Sequence, residues 1–220
     1  MNDQAKRLSR ASRALSRAGL VHAYGHASIR LDERNFLVTP SVPLGMVGLD
    51  DPGIVVAIDG PLPEGVAGEV LVHQQIYSRR TDVSAICRVQ PPKLMSLSTM
   101  GRVPAIRHGF GAYLSTAYWH DPQLARTQTV AEQLSACLED GNAVVMRGNG
   151  AIVVADSIER AVVLAWYLED AARVELDVMH ADAGAGFVFT PEEARSRATW
   201  SGAIVERMWD YLTSDDCPPI

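Results

Sequence analysis

Alternating apolar and polar residues at positions 83–90 predict a β-strand that ends in a guanidinium and a carboxamide side chain. One face of this strand would carry Val83, Ala85, Cys87 and Val89. Because strand side chains repeat with a period of two, Arg88 and Gln90 should project together from the other face. Pro91 and Pro92 then stop the ladder, since proline has no amide donor. This stretch alone favours the simpler explanation, a strand end with solvated polar residues, and the rest of the chain must decide.

Hydrophobic periodicity elsewhere predicts a succession of helices and strands in one domain over residues 1–220. Further strands are expected at 26–31, 36–39, 54–59, 143–146 and 151–154, the last two joined by a hairpin at 147–150. The first helix is expected to end at Gly19, and further helices are expected at 69–80, 93–100 and 124–138. A long helix should begin at the capping pair Asp156 and Glu159, and a last helix should run from Thr190 to about Leu212. Residues 107–118 look irregular. This order predicts an α/β fold in which helices cover a mostly antiparallel sheet.

Composition and charge narrow the functional classes. The hydrophobic and charged fractions, 47% and 21%, are those of an ordinary globular protein, and the net charge of -6 argues against a nucleic-acid or anionic-membrane partner. No apolar run is long enough for a membrane span. Residues 6–17 could mimic a mitochondrial presequence, but we interpret them as a packed helix. Cys87, Cys137 and Cys217 are odd in number and lack metal-type spacing, which favours the reducing cytoplasm.

Four segments, in this order and spacing, resemble the class II aldolase/adducin family. The segments are GLVHAYGHASIR, VTPSVPLG, GEVLVHQQIYSRRTDVSAICRV and MRGNGAIVVADSIERAVVLAWYLEDAARV. The resemblance implies an α/β/α sandwich and a homotetramer with active sites between subunits. It also implies retro-aldol, epimerase, dehydratase or decarboxylase chemistry through an enolate or similar carbanion. In that family a divalent metal, usually zinc, stabilises the developing charge.

The chain departs from the family where the metal should bind. The family's histidine-x-histidine pair reads Arg88 and Gln90 here, and its third histidine ligand reads Asn149. Arginine cannot lose its proton to become a ligand, and amides bind zinc poorly compared with imidazole. We therefore predict no metal and no other cofactor. A substitute site built from Glu69, His26, His73 and His108 remains an open alternative.

The family's sugar-phosphate pocket is also altered. This chain has His26 at the position of the family's asparagine and Ala67-Gly68 at the positions of two serines. The family's turn of a hydroxyl residue followed by glycine reads Ser41-Val42 here. A phosphorylated sugar is therefore a weaker expectation, although Ser28 and Ser41 could still hold an anion.

The candidate catalytic residues are Glu69, Arg88 and His108. Glu69 aligns with the family's catalytic carboxylate, and His108 lies where some family aldolases carry a catalytic tyrosine. Arg88 would place a fixed positive charge where the metal would bind. Each residue also has a simpler structural explanation. Glu69 could be a solvated residue at a helix start, Arg88 could form a salt bridge with Glu69, and His108 could fix the conformation of its loop. The candidate substrate-binding residues are His26, Ser28, Ser41, Gln90 and Asn149. Asn149 could instead be present for its tolerance of a left-handed turn.

These observations favour a metal-independent lyase that breaks a carbon–carbon bond of a small oxygenated carboxylate by retro-aldol cleavage or decarboxylation. A dehydratase or isomerase could use the same carbanion chemistry. A non-catalytic binding or assembly module of the adducin kind is the third possibility. The expected partners are a small anionic molecule and further copies of this chain.

Overall fold

The fold is built around a seven-stranded sheet within the described residues, 3–181 and 186–214 of this computed structural model. The strands are β1 His26–Arg30, β2 Asn35–Val38, β3 Ile54–Ala57, β4 Ala85–Val89, β5 Thr116–Trp119, β6 Ala143–Met146 and β7 Gly150–Ala155. The helices are α1 Asp3–Arg17, α2 Leu71–Arg79, α3 Pro92–Thr99, α4 Gln128–Cys137, α5 Ile158–His180, α6 Pro191–Arg197 and α7 Ile204–Thr213.

The sheet order places β4 at the centre. Neighbouring strands follow the order β3-β2-β1-β4-β7-β6-β5, and every pair is antiparallel except β5 with β6. In this register Arg88 lies opposite His26 of β1 on one side and Ile152 of β7 on the other. Arg88 therefore occupies the middle of the sheet.

Helices cover both faces of the sheet, which makes an α/β/α sandwich. Helices α1, α3, α5 and α7 pack on the face that carries Ala27, Cys87 and Val153. Helices α2 and α4 pack on the face that carries Ile86 and Val154. The predicted alternation is confirmed within β4, because Ala85, Cys87 and Val89 enter one core and Ile86 enters the other. The placement of Val83 on the first of these faces is wrong, because Val83 precedes the strand and packs in the same core as Ile86. The mostly antiparallel α/β fold expected from the sequence is also confirmed.

Several boundaries differ from the sequence expectations. The segment expected to be irregular contains β5, which pairs with β6 in parallel through the connection made by α4. The N-cap of α5 is Ser157 rather than Asp156, and its hydroxyl accepts a hydrogen bond from the Arg160 amide at 3.3 Å. Helix α4 starts at Gln128 rather than near residue 124, with Thr127 as its N-cap.

The single last helix expected from Thr190 to Leu212 is wrong. Thr190 and Glu193 do form the expected capping box. The helix stops at Arg197, however, and Trp200 and Ala203 adopt left-handed backbone angles before α7 begins.

The described helices are each too short or too polar to cross a lipid bilayer. Cys87 and Cys137 are free thiols, and Cys217 lies outside the described residues.

Candidate active site

An open cavity of about 740 Å³ lies at the end of β4, beside the start of β1. Among its lining residues are six of the eight predicted site residues: His26, Ser41, Glu69, Arg88, Gln90 and Asn149. The cavity therefore brings together residues from separate segments of the chain.

Arg88 is buried at the floor of this cavity, with only 3% of its surface exposed. Its Nη1 group donates to the Val89 carbonyl at 3.1 Å, and its Nη2 group donates to Asn149 Oδ1 at 2.8 Å. Burial lowers the pKa of Arg88, and the nearby Glu69 carboxylate acts in the opposite direction. A guanidinium keeps its proton even so, which places a permanent cation at the cavity floor.

Glu69 lies between two guanidinium groups. It belongs to the 3-10 turn Gly68–Val70 that precedes α2. Its two carboxylate oxygens lie 3.6 Å from Nη2 of Arg88 and 3.6 Å from Nη2 of Arg126. The salt bridge to Arg88 considered from the sequence is present. At this separation it is an ion pair rather than a direct hydrogen bond, so the carboxylate lone pairs stay available to a ligand.

Asn149 reaches Arg88 because the turn between β6 and β7 packs against the end of β4. Gly150 has a φ of +79°, and a Cβ at this position would lie 2.1 Å from the Val89 carbonyl oxygen. Asn149 Oδ1 also lies 3.4 Å from Nε2 of Gln90. The left-handed residues of this turn are Gly148 and Gly150, so the idea that Asn149 is needed for such a conformation is wrong.

His26 joins the cavity to a buried chain of polar side chains. Its Nδ1 lies 2.9 Å from His73 Nε2, and its own Nε2 is buried without a hydrogen-bond partner in the described residues. Burial, His73 and Arg88 together lower the pKa of His26 well below its usual value. Burial and Arg88 lower the pKa of His73 to about 3. Both imidazoles are therefore neutral near pH 7.

Ser28 and His108 lie outside the cavity of their own chain. Ser28 is fully buried behind His73, with its Oγ 2.7 Å from His73 Nδ1. His108 Nε2 contacts Asp170 Oδ2 at 2.7 Å, on the α5 side of the sheet. The same carboxylate accepts hydrogen bonds from Arg173.

Arg126 and the cavity rim were not anticipated from the sequence. Arg126 arrives from the loop before α4, and no motif marked it as a partner of Glu69. The rim carries three exposed apolar side chains, Tyr24, Val42 and Leu124. Two of them lie in segments identified from the resemblance, but nothing in the sequence distinguished them from buried residues.

Comparison with known proteins places the chain in a family. Residues 6–176 match the Class II Aldolase and Adducin N-terminal domain, and the chain belongs to that family. A curated relative, 3,4-dihydroxyphthalate decarboxylase from Arthrobacter keyseri, is 25% identical over 193 residues, which are 78% of this chain and 77% of the relative.

Solved structures share the fold. An aldolase II superfamily protein from Pseudomonas syringae has a TM-score of 0.78 at 21% identity, covering 96% of this chain and 92% of that one. L-fuculose-1-phosphate aldolase from Thermus thermophilus has a TM-score of 0.70 at 26% identity, covering 83% of this chain and 97% of that one. Membership of this family and the decarboxylase relative point to lyase-type chemistry.

The cavity floor does not fit the metal ion that the family resemblance implies. Arg88 and Gln90 both contact Asn149 there, and this set offers one cation and two amides instead of imidazoles. Across residues 3–181 and 186–214, no group of three or more histidine, cysteine, aspartate or glutamate side chains could hold a metal. The substitute set fails to converge because His26 and His73 bond to each other and His108 lies elsewhere.

Proposed function

We propose that this protein is a lyase that breaks a carbon–carbon bond of a small oxygenated carboxylate without a metal ion. The observation that carries the proposal is the buried Arg88 cation, 3.6 Å from the Glu69 carboxylate at the floor of an open cavity. A fixed cation can stabilise an oxygen on which negative charge develops, and a nearby carboxylate can move a proton.

Decarboxylation of a hydroxylated aromatic carboxylate is the reaction that we favour. Its support is the resemblance to 3,4-dihydroxyphthalate decarboxylase and the cavity volume of about 740 Å³, which lies in the range of small-molecule sites. Retro-aldol cleavage is the second candidate, because the Thermus fold relative is an L-fuculose-1-phosphate aldolase.

The proposed roles follow from the contacts. Arg88, with Gln90 and Asn149, holds the carboxylate or the oxygen that becomes negative. Glu69 takes the proton of a neighbouring hydroxyl and passes it to the carbon that loses carbon dioxide. The electrons of the broken bond return to the ring, so the proton replaces carbon dioxide at that carbon. Asn149 accepts from Arg88 through Oδ1, which leaves its Nδ2 group to donate to the substrate.

The proposal includes a homotetramer with the cavity at a subunit interface, in a reducing compartment. Its support is the exposed apolar rim of Tyr24, Val42 and Leu124, which another surface would cover. His108 would then act from a neighbouring subunit, because it does not line the cavity of its own chain.

Turnover in the presence of a chelator tests the chemistry. Purified protein is incubated with 3,4-dihydroxyphthalate or L-fuculose 1-phosphate, with and without a zinc chelator, and products are separated by chromatography. We expect conversion of 3,4-dihydroxyphthalate to a dihydroxybenzoate at a rate that the chelator leaves unchanged. Stoichiometric zinc that is lost together with activity would refute metal independence. Binding of the dicarboxylate without turnover would favour the non-catalytic module.

A second experiment restores the family's ligands. The combined variant Arg88→His, Gln90→His and Asn149→His should acquire zinc, measured by elemental analysis after dialysis, because Asn149 already lies within hydrogen-bond range of both other positions. Failure of a folded triple variant to hold zinc would contradict the assignment of these three residues to the metal position.

A further inference from the structure

Four buried polar side chains form one continuous hydrogen-bonded chain behind the cavity wall. His26 Nδ1 lies 2.9 Å from His73 Nε2, and His73 Nδ1 lies 2.7 Å from Ser28 Oγ. Ser28 Oγ in turn lies 2.9 Å from the Tyr77 hydroxyl. The chain begins at the buried, unpartnered Nε2 of His26, a residue that lines the cavity, and ends at Tyr77 in the core between the sheet and α2.

The protons in this chain can run in only two orders while both imidazoles are neutral. In the outward order, His26 donates from Nδ1 to His73, His73 donates to Ser28, and either Ser28 or Tyr77 donates to the other. In the inward order, Tyr77 donates to Ser28, Ser28 donates to His73 Nδ1, and His73 donates from Nε2 to His26. The first order leaves a lone pair on the buried Nε2 of His26, a residue that lines the cavity, and the second leaves an N–H group there.

The hydroxyl protons of Ser28 and Tyr77 decide between the two orders. Ser28 is the one hydrogen-bond partner of the Tyr77 hydroxyl oxygen within the described residues. In the outward order one of the two hydroxyl protons, that of Tyr77 or that of Ser28, has no acceptor among the described residues, and a buried unsatisfied donor is costly. Burial raises the pKa of Tyr77, so the hydroxyl keeps its proton. The inward order gives both hydroxyl protons an acceptor and leaves the N–H group of the buried His26 Nε2 as its one proton without a partner in the described residues, which a ligand oxygen in the cavity would accept.

We infer that His26 is a neutral hydrogen-bond donor to a substrate oxygen, and that His73, Ser28 and Tyr77 are positioning residues that fix its tautomer. The groups that face His26 are consistent with a neutral ring. The positive charge of Arg88 on β4 disfavours a second positive charge on His26, and His73 on α2 supplies the hydrogen bond to Nδ1. Glu69, one turn before His73, also lines the cavity.

The site then selects a substrate whose oxygen only accepts hydrogen bonds. With Arg88 at the floor and an N–H of His26 in the wall, two donors line the same cavity. A carboxylate, phenolate or enolate oxygen satisfies both donors. The identity of this ligand rests on the proposed function, whereas the tautomer of His26 does not depend on it.

Solid-state 15N spectra of protein labelled at histidine test the tautomer directly. The His26→Gln and His73→Gln variants assign the two signals among the six histidines. We expect both residues to be neutral and protonated at Nε2 at pH 7. Protonation of His26 at Nδ1, or an imidazolium at His26, would overturn the inference whatever the protein catalyses.

Binding of phthalate, measured by calorimetry, tests the role of the N–H group. His26→Leu removes the donor, and we expect it to weaken binding roughly 10- to 100-fold, as for a lost hydrogen bond to a charged group. His26→Gln places an amide N–H near the same position and should restore most of the lost affinity. Equal affinity of the folded His26→Leu variant and the wild type would overturn the inference.

The pair His73→Leu and His73→Gln separates positioning from simple packing. Both fill a similar volume, but only glutamine can donate to His26 Nδ1. We expect His73→Leu to lose phthalate affinity and His73→Gln to recover it at a similar unfolding temperature. Equal loss in the two variants would refute positioning by His73. If wild-type protein neither binds phthalate nor turns over 3,4-dihydroxyphthalate, the proposed function fails while the spectra still decide the tautomer.

Discussion

At the scale of single residues, the geometry of the cavity floor depends on a few shared hydrogen bonds. Asn149 Oδ1 contacts both Arg88 and Gln90, and Glu69 faces Arg88 without touching it. Alternation along one strand predicted that Arg88 and Gln90 lie together, and the family resemblance identified Glu69 and Asn149. The participation of Arg126 could not, because it depends on where a loop lies in space.

The first prediction concerns the planar fork of Arg88. Arg88→Lys keeps the charge but loses the fork, so phthalate binding should weaken by about 1.5–3 kcal/mol, the value of a charge-assisted hydrogen bond. Isothermal calorimetry measures the change. Arg79→Lys, on the exposed end of α2, is the matched control and should bind like the wild type. Wild-type affinity in Arg88→Lys would mean that Arg88 does not meet the ligand.

The second prediction concerns the acid sensitivity that His73 confers. Its pKa is about 3 in the folded protein and 6.5 in the unfolded chain, so the unfolded state binds the extra proton between these values. Stability is therefore complete above pH 6.5 and falls as the pH drops toward 3, by about 1.4 kcal/mol per pH unit for one histidine. Urea unfolding between pH 7.5 and 4.5 should give a smaller slope for His73→Gln. Identical slopes would contradict a neutral buried His73.

At the scale of secondary structure elements, the sequence pattern predicted the elements that are set by interactions between residues close together in the chain. The central strand and the hairpin at 147–150 follow from alternation and turn chemistry, and both are observed. Strand β5 is only four half-buried residues long, and its partner β6 is reached through α4, so it depends on tertiary pairing. The break between α6 and α7 contains Gly202 at a positive φ, which is a local signal, but it also depends on two left-handed residues other than glycine, Trp200 and Ala203, that no sequence pattern marks.

The third prediction compares the two glycines of the β6–β7 turn. A methyl group at Gly150 would collide with the Val89 carbonyl oxygen, whereas one at Gly148 meets nothing within 4 Å. Both have positive φ, so Gly148→Ala should cost about 1–2 kcal/mol from backbone strain alone. Gly150→Ala should cost more, about 3 kcal/mol or above, because the turn must shift away from β4. Urea denaturation measures both, and equal losses would show that the turn does not depend on this close approach.

At the scale of the whole molecule, the apolar rim is the feature that a single chain leaves unexplained. Tyr24 is 76% exposed, and Val42 and Leu124 are 40% and 44% exposed at the same cavity. The fold itself gives no reason for an exposed cluster of this kind beside buried charges. The family resemblance predicted a tetramer, and the sequence could not locate the interface because exposure is a property of the assembled fold.

The fourth prediction concerns assembly. Light scattering at micromolar concentration should report a tetramer, because covering the rim removes apolar surface from water. Leu124→Lys should shift the distribution toward smaller species. Met100→Lys, at an exposed apolar residue that does not line the cavity, serves as the control and should leave the distribution unchanged. A monomeric wild-type protein would contradict the proposed interfacial site.

The cation at the cavity floor has a consequence for how many molecules in a preparation contain this charge. Arg88 belongs to the polypeptide, and its neighbours β1 and β7 hold it at the centre of the sheet. Every chain that reaches the native fold therefore carries this charge, with no loading step, no fractional occupancy and no dissociation on dilution. The yield of folding alone sets how many sites contain it.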